Sequence, residues 1–411
     1  MARPGREPTF PFNLRESMRI LFCNDSFPGN FEALAGLMAA DPADEVLFLS
    51  TFVRKDFSIP GVSRVRLRLN REKSSQEKDA FFPAWERAYR VGRQTFQTLQ
   101  HLRESGFIPD MILVSSADGP GLFLRHAFPN AFIVSYLDRY KRLPQSMEER
   151  ERLAASISLQ SYQMGQSNLY FVLSEWQRKL FSPLLRSVVR AMPCFVDTDL
   201  FSPSEQAEEG LSVLWRDHPG GGLLSFNIVS RRDNACERLL PVIVGVLAER
   251  PQCLIALNFR YEEVRHHWEQ RAAALPAAVR NRLFCMKFSS FQEYRKFLCS
   301  TSVHVFFDVT ETPTPEILEC MSCETLVMVP GIGERGGFLH HGENCLCFSP
   351  ESAAGQVMAI CRAFDDKERR ASIGRRAREA VIEQYGQKKI LPEHAALLKK
   401  EYTLYKRTTE C

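Results

Sequence analysis

The sequence predicts an α/β protein of two doubly wound parallel-sheet domains, and three observations carry this. Short unbroken apolar runs alternate with longer amphipathic stretches, the pattern of parallel strands buried on both faces. The alternation breaks once, in "CFVDTDLFSPSEQAEEGLSVLWRDHPGGGLLSF", and then starts again. A chain of 411 residues also has room for two or three domains at about 150 residues each.

Taken in order, the opening "MARPGREPTFPFNLRES" has no apolar core and is no secretory signal. Residues 1–17 are expected to be a disordered tail, with Met18 as an alternative initiator. In the first domain, 18–203, the strands are "RILFCN", "EVLFLS", "RVRLRL", "MILVSS", "FIVSYL" and "LYFVLS". Its helices are "FEALAGLMAA", "AWERAYRVGRQTFQTLQHLRES" and "EERERLAASISLQSYQMGQ". In the second domain, 204–385, the strands are "LLSFNIVS", "CLIALN", "RLFCMKF", "VHVFFDV", "TLVMVP" and "CLCFS", with helices between them. From Glu368 to Tyr402 the chain is amphipathic and helical, with breaks expected at Tyr385–Gly386 and at Pro392. Residues 386–411 form a terminal helix expected to cross back to the first domain.

A net charge of +4 on so long a chain argues against a dedicated nucleic-acid binder, which would show a stronger basic bias. No stretch approaches the ~20 apolar residues of a membrane span. The 12 cysteines sit mostly inside apolar runs, as reduced thiols do, so a cytoplasmic setting is expected. The basic stretches "RYKR" and "RERLAASISLQSYQ" suit either a peripheral contact at the inner face of a membrane or a plain solvated helix face.

Chemistry concentrates where strands end. "ETPTPEILECMSCETLVMV" follows the apolar run "HVFFDV". Thr314 reads as an N-cap and Pro315 as the first helical residue, which makes an anion-binding helix start. Glu311 and Glu319 flank it, seven residues apart, and suit sugar or ribose hydroxyls; acidic first turns also arise for dipole reasons alone. Gly331, Gly333, Gly336 and Gly337 follow the next strand, where bare backbone amides can approach an anion or simply turn. Arg231 and Arg232 follow the first strand of the second domain and suit a pyrophosphate. In the first domain, Pro28, Gly29 and Asn30 form a turn after a strand, and Ser115, Asp118 and Gly119 form another. Both turns would border a cleft on the side of a second substrate, with Asp118 as an orienting group, a base or a helix cap. A zinc site from Cys320, Cys323, Cys345 and Cys347 is disfavoured, because each falls in a packing position.

Taken together these residues resemble the glycosyltransferases of family 4, from Met18 onward. The resemblance is strongest in "SSFQEYRKFLCSTSVHVFFDVTETPTPEILECMSCETLVMVPG", and extends to "LYFVLSEWQRKLF", "FVDTDLFSP", "MRILFCNDSFPGNFEALA" and "DMILVSSADGPGLFLRHAFPNAFIVSYL". It implies the GT-B fold, two Rossmann-like domains facing a cleft. It implies transfer of a sugar from a nucleotide-diphosphate donor to an acceptor with retention, the nucleotide-sugar being a co-substrate and no metal being needed. Glu311 would face the sugar and Glu319 the ribose. Arg231 and Arg232 would hold the diphosphate, with Thr314, Ile317, Leu318, Gly331 and Gly333 around the donor. Glu311 and Asp118 are the catalytic candidates, and Pro28, Gly29, Asn30 and Ser115 face the acceptor, a glycan, lipid-linked glycan or protein. The sequence departs from the family at "NACER", where a lysine is usual, at Ser115, where a histidine is common, and at Glu324, where glycine would relieve a left-handed cap. Those departures leave open a non-catalytic binding subunit; a nucleotide-sugar epimerase of the same architecture is the alternative from another reaction class.

Overall fold

The computed structural model describes residues 17–53, 57–68, 81–115, 119–137, 147–204, 222–228, 235–259, 262–307, 313–331 and 337–409. The chain divides into two compact units, Met1–Ala191 with Ala395–Cys411, and Met192–His394.

The first unit holds β1 (Arg19–Cys23), β2 (Ser26–Phe27), β3 (Glu45–Ser50), β4 (Phe52–Val53), β5 (Val62–Arg66), β6 (Met111–Ser115), β7 (Phe132–Tyr136), β8 (Leu169–Val172) and β9 (Val189–Ala191). Seven of these form a parallel sheet in the order β5-β3-β1-β6-β7-β8-β9, while β2 and β4 pair with each other. Both faces are buried, as the unbroken apolar runs require. Leu21, Cys23, Ile112, Val114 and Ile133 pack with Val91 and Leu99 of the helix Phe81–Glu104. Phe22 points the other way and stacks on Phe48 at 5.8 Å. The strand expected at "RVRLRL" lies earlier, at Val62–Arg66, because its register with β3 runs from Val46↔Val62 to Ser50↔Arg66. β9 has no apolar run of its own; only its pairing with β8 makes it a strand.

The second unit holds β10 (Leu223–Ile228), β11 (Leu254–Phe259), β12 (Leu283–Met286), β13 (Thr301–Phe306), β14 (Leu326–Pro330) and β15 (Leu346–Phe348). They form a parallel sheet in the order β12-β11-β10-β13-β14-β15. Period-two alternation divides its side chains between two cores. Leu224, Phe226, Val303, Val305, Leu326 and Met328 face one; Leu223, Leu254, Phe306, Val327 and Val329 face the other. The second core also takes Val196 and Phe201 from the link, and Val196 bridges Gly386. These contacts explain why the units part after Ala191, before the expected boundary at 203.

The tail forms two helices, Lys367–Tyr385 and Gln387–Thr409, broken at Gly386 as expected. The break expected at Pro392 does not occur, and Pro392 lies inside the second helix. A proline there forfeits one backbone bond, and the buried Ile390, Leu391 and Leu398 hold the helix through it. This helix starts in the second unit and ends in the first. There the Tyr402 hydroxyl donates to Asp110 at 3.2 Å, and the Phe132 ring meets Tyr402 and Tyr405 at 5.9 and 5.3 Å.

Candidate functional site

In an open parallel sheet, ligands bind beyond the carboxyl ends of the strands, where the strand order reverses. In the first unit that point lies between β1 and β6, and in the second between β10 and β13. The residues singled out from the sequence follow these four strands, or β14 beside them.

In the second unit, β13 leads through Phe307 to the helix Pro315–Ser322. Thr314 is its N-cap, with an extended backbone, but its side chain makes no capping bond. Ser174, Ser290, Ser352 and Asp366, by contrast, each cap a helix with a side-chain oxygen. The Leu318 amide bonds Thr314 O at 3.1 Å, whereas the Ile317 amide has no partner among the described residues. An uncapped first turn with an unclaimed N–H is a ready place for an anion.

Burial and backbone bonding bear on three of the donor-side candidates. Ile317 and Leu318 are 1% and 0% exposed, so neither side chain can touch a ligand, and Leu318 spends its amide inside the helix. Only the Ile317 backbone remains available. Gly331 donates its amide to Phe348 O at 2.7 Å, which closes the β14–β15 ladder and removes it as an anion donor.

Glu319 is half-buried one turn further on, and its carboxylate makes no hydrogen bond or ion pair among the described residues. Burial, with Glu316 adding like charge, pushes its carboxyl up to about 8. Such a group gains most from a ligand that donates hydroxyl protons to it. Glu311, Arg231, Arg232 and Gly333 lie outside the described residues, as does Gly336; Gly337 has φ 47° and open space around it.

In the first unit, Pro28 is buried while Gly29 and Asn30 are exposed, in a 3₁₀ turn after β1. Gly29 has φ 53°, and a Cβ there would collide with the Asn24 amide, which donates to Ser26 O at 3.0 Å. Ser115 ends β6, the neighbour of β1, so the turn and Ser115 share one end of the sheet. Asp118 lies outside the described residues. Two residues the sequence reading passed over stand beside them. Tyr136 ends β7 in register with Ser115, and its ring meets Phe31 edge-on at 4.9 Å. A tyrosine closing the apolar run "FIVSYL" was the available signal.

Glu324 has φ 60°, the only positive φ outside glycine among the described residues. The strain expected from its position is present. Cys320 and Cys323 face the second core, with Cys345 buried there too. Among the described residues no group of three or more His, Cys, Asp or Glu side chains gathers as metal ligands. No helix among them is long and apolar enough to cross a membrane.

Comparison with known proteins bears on the whole chain. Residues 42–201 match the sequence profile of the glycosyl transferase family 4 group, and residues 260–391 match a glycosyl transferase-like profile. No curated protein sequence matches. Among solved structures, sucrose-phosphate synthase from Thermosynechococcus elongatus is similar with a TM-score of 0.73 at 15% identity, covering 94% of this chain and 100% of that one. Anabaena HepE, solved with UDP-glucose, gives 0.67 at 15% identity over 93% and 100%. The catalytic domain of starch synthase IV from Arabidopsis thaliana, bound to ADP and acarbose, gives 0.65 at 10% over 94% and 100%. At such identities these likenesses establish the fold, GT-B.

Proposed function

The chain belongs to the glycosyltransferase family 4 group and transfers a sugar from a nucleotide-sugar; from that premise we propose which residues hold the donor and where the acceptor enters. The observation that carries the reading is Glu319, a half-buried carboxyl without a partner among the described residues, next to an uncapped helix start at the switch point of the second sheet. Glu319 accepts the ribose hydroxyls. The Ile317 amide and the helix dipole face the diphosphate, joined by Arg231 and Arg232 from the chain after β10. Glu311 faces the sugar.

The chemistry asked of these groups is electrostatic. As the glycosidic bond breaks, negative charge grows on the departing nucleoside diphosphate, and fixed N–H dipoles and guanidinium charge stabilise it. Losing one such group costs on the order of 100-fold in kcat, so Arg231→Ala is expected to lower turnover by that factor. The departing phosphate can take the acceptor proton, so no separate protein base is required. Transfer with retention and without a metal follows from the family resemblance. The acceptor, a glycan, lipid-linked glycan or protein, meets Gly29, Asn30 and Ser115, with the buried Pro28 shaping the turn and Asp118 orienting its hydroxyl. Gly29→Ala is therefore expected to lower transfer while leaving donor affinity unchanged.

UDP-sugars are the first donors to test, because HepE was solved with UDP-glucose. The experiment is calorimetric titration of wild type, Glu319→Ala and Glu319→Gln with UDP-, GDP-, ADP-, TDP- and CMP-sugars. Two hydroxyls on an ionised carboxylate contribute about 3 kcal/mol, so the alanine variant should bind its donor roughly a hundredfold more weakly. Binding should also release a proton, since the donor selects the ionised form of a carboxyl that is otherwise protonated at pH 7. Equal affinity in all three proteins would overturn the assignment of Glu319. Donor binding without transfer to any acceptor would instead favour a non-catalytic binding subunit.

A further inference from the structure

We propose that the short helix Pro183–Val188 and its basic flanks dock the first unit on a bilayer with anionic headgroups. The helix Glu175–Lys179 follows β8, and Pro183–Val188 comes next and leads into β9. No residue of Pro183–Val188 is buried. Leu184, Leu185 and Val188 are 80%, 41% and 47% exposed. Leu184 and Val188 are four apart and so share one side of the helix, with Leu185 next to Leu184. The exposed Pro183 extends the apolar surface at the helix start. Single exposed apolar residues are ordinary, but three within five residues mark a contact surface.

Charge says what covers this surface. Between Glu175 and Asp197 the chain carries Arg178, Lys179, Arg186 and Arg190 and no carboxylate. Arg178 is spent on Glu175 at 2.8 Å. Arg186 donates to Lys179 O at 2.8 Å and Phe181 O at 3.0 Å, and Arg190 donates to Ser187 O at 3.1 Å, all of them backbone oxygens. Lys179 and Arg190 are exposed on the two flanks of the helix, and neither meets a carboxylate among the described residues. The surface thus presents apolar side chains with unneutralised positive charge beside them. An anionic bilayer answers both, since apolar side chains enter the boundary between headgroups and acyl chains while the basic flanks meet phosphates. Leu184 protrudes, and a bilayer receives a protruding leucine without a shaped counterpart, which a protein partner would have to supply.

The place of the helix in the fold leaves the candidate site free. Val189 opens β9, which pairs in parallel with β8, so the helix ends at the amino end of the sheet. Ser115 and the turn at Gly29 and Asn30 lie at the carboxyl end. A contact through Pro183–Val188 therefore holds the first unit at the membrane without covering those residues. The membrane contact expected from the sequence lay elsewhere, in "RYKR", outside the described residues, and in "RERLAASISLQSYQ", on the helix Met147–Met164.

The test is co-sedimentation of the full chain with vesicles of phosphatidylcholine alone and of phosphatidylcholine with about 30% phosphatidylglycerol. Wild type should pellet with the anionic vesicles and not the neutral ones, and salt at about 0.5 M should release it. Leu184→Glu combined with Val188→Glu should weaken binding at least ~10-fold. Each basic residue near an anionic surface contributes about fivefold, so Lys179→Gln combined with Arg190→Gln should weaken binding roughly 25-fold. Both variants should melt with wild type, because all four side chains are exposed. Met358→Glu, which alters another exposed apolar side chain, should bind as wild type does. The proposal is overturned if wild type binds neither vesicle, if it binds both equally, or if the Leu184 and Val188 variant binds as tightly as wild type. It is also overturned if sedimentation shows these residues joining two copies of the chain in place of binding vesicles.

Discussion

Glu324 shows how one residue can carry a fold's strain. A left-handed backbone costs an L residue about 1–2 kcal/mol, and here it is kept at the turn after the helix Pro315–Ser322. Gly374 approaches so closely that a Cβ on it would collide with the Glu324 carbonyl. Glu324→Gly should therefore stabilise the protein by about 1 kcal/mol in thermal or urea unfolding. Gly374→Ala should destabilise it by about 1–3 kcal/mol. Glu319 makes a pH-dependent prediction. Its folded carboxyl sits near 8 against an ordinary 4.5, so the unfolded chain loses that proton first as pH rises. Its contribution to stability is complete below about 4.5 and is lost as pH rises towards 8. Glu319→Gln should melt increasingly above wild type across that window. The Glu324 strain was foreseen through the family resemblance, in which a glycine usually stands at that left-handed cap. The raised Glu319 carboxyl was not, because it depends on how much apolar surface folds over it.

The helix Pro315–Ser322 is left open at one end and clamped at the other. Arg378 donates to Phe201 O at 3.0 Å and Thr198 O at 3.2 Å, and also to Ser322 O. One guanidinium therefore closes the helix's last carbonyl and ties the link Thr198–Phe201 to it. Arg378→Ala strands buried carbonyls, at about 1–3 kcal/mol. Limited proteolysis should then cut faster near Thr198, with Arg378→Lys only partly protective. The open end is where sequence reading worked, through Thr314 and Pro315. The clamp was invisible, because residues 198, 322 and 378 meet only in the folded chain. Strands such as Arg19–Cys23 were legible from composition, whereas Val189–Ala191 owes its strand character to its neighbour.

The two sheets share one plan, with the order reversing beside the first strand of each. Apolar alternation foretold two parallel sheets but not which strands are neighbours, since that order is set by crossover handedness and packing. The return of the terminal helix was expected, and its anchors, Tyr402 on Asp110 and Tyr405 on Asn130 O, came only with the structure. Truncation after His394 should lower the melting of the first unit and spare the second, as read by proteolysis or separate thermal transitions. That return has a consequence for how the protein is made. Translation delivers residues 395–411 only after all of Met192–His394 has emerged. The second unit is thus complete in sequence before the first receives its closing segment, reversing the usual N-terminal-first schedule. A chain truncated after His394 would carry the whole sequence of the second unit and an exposed Phe132 on the first.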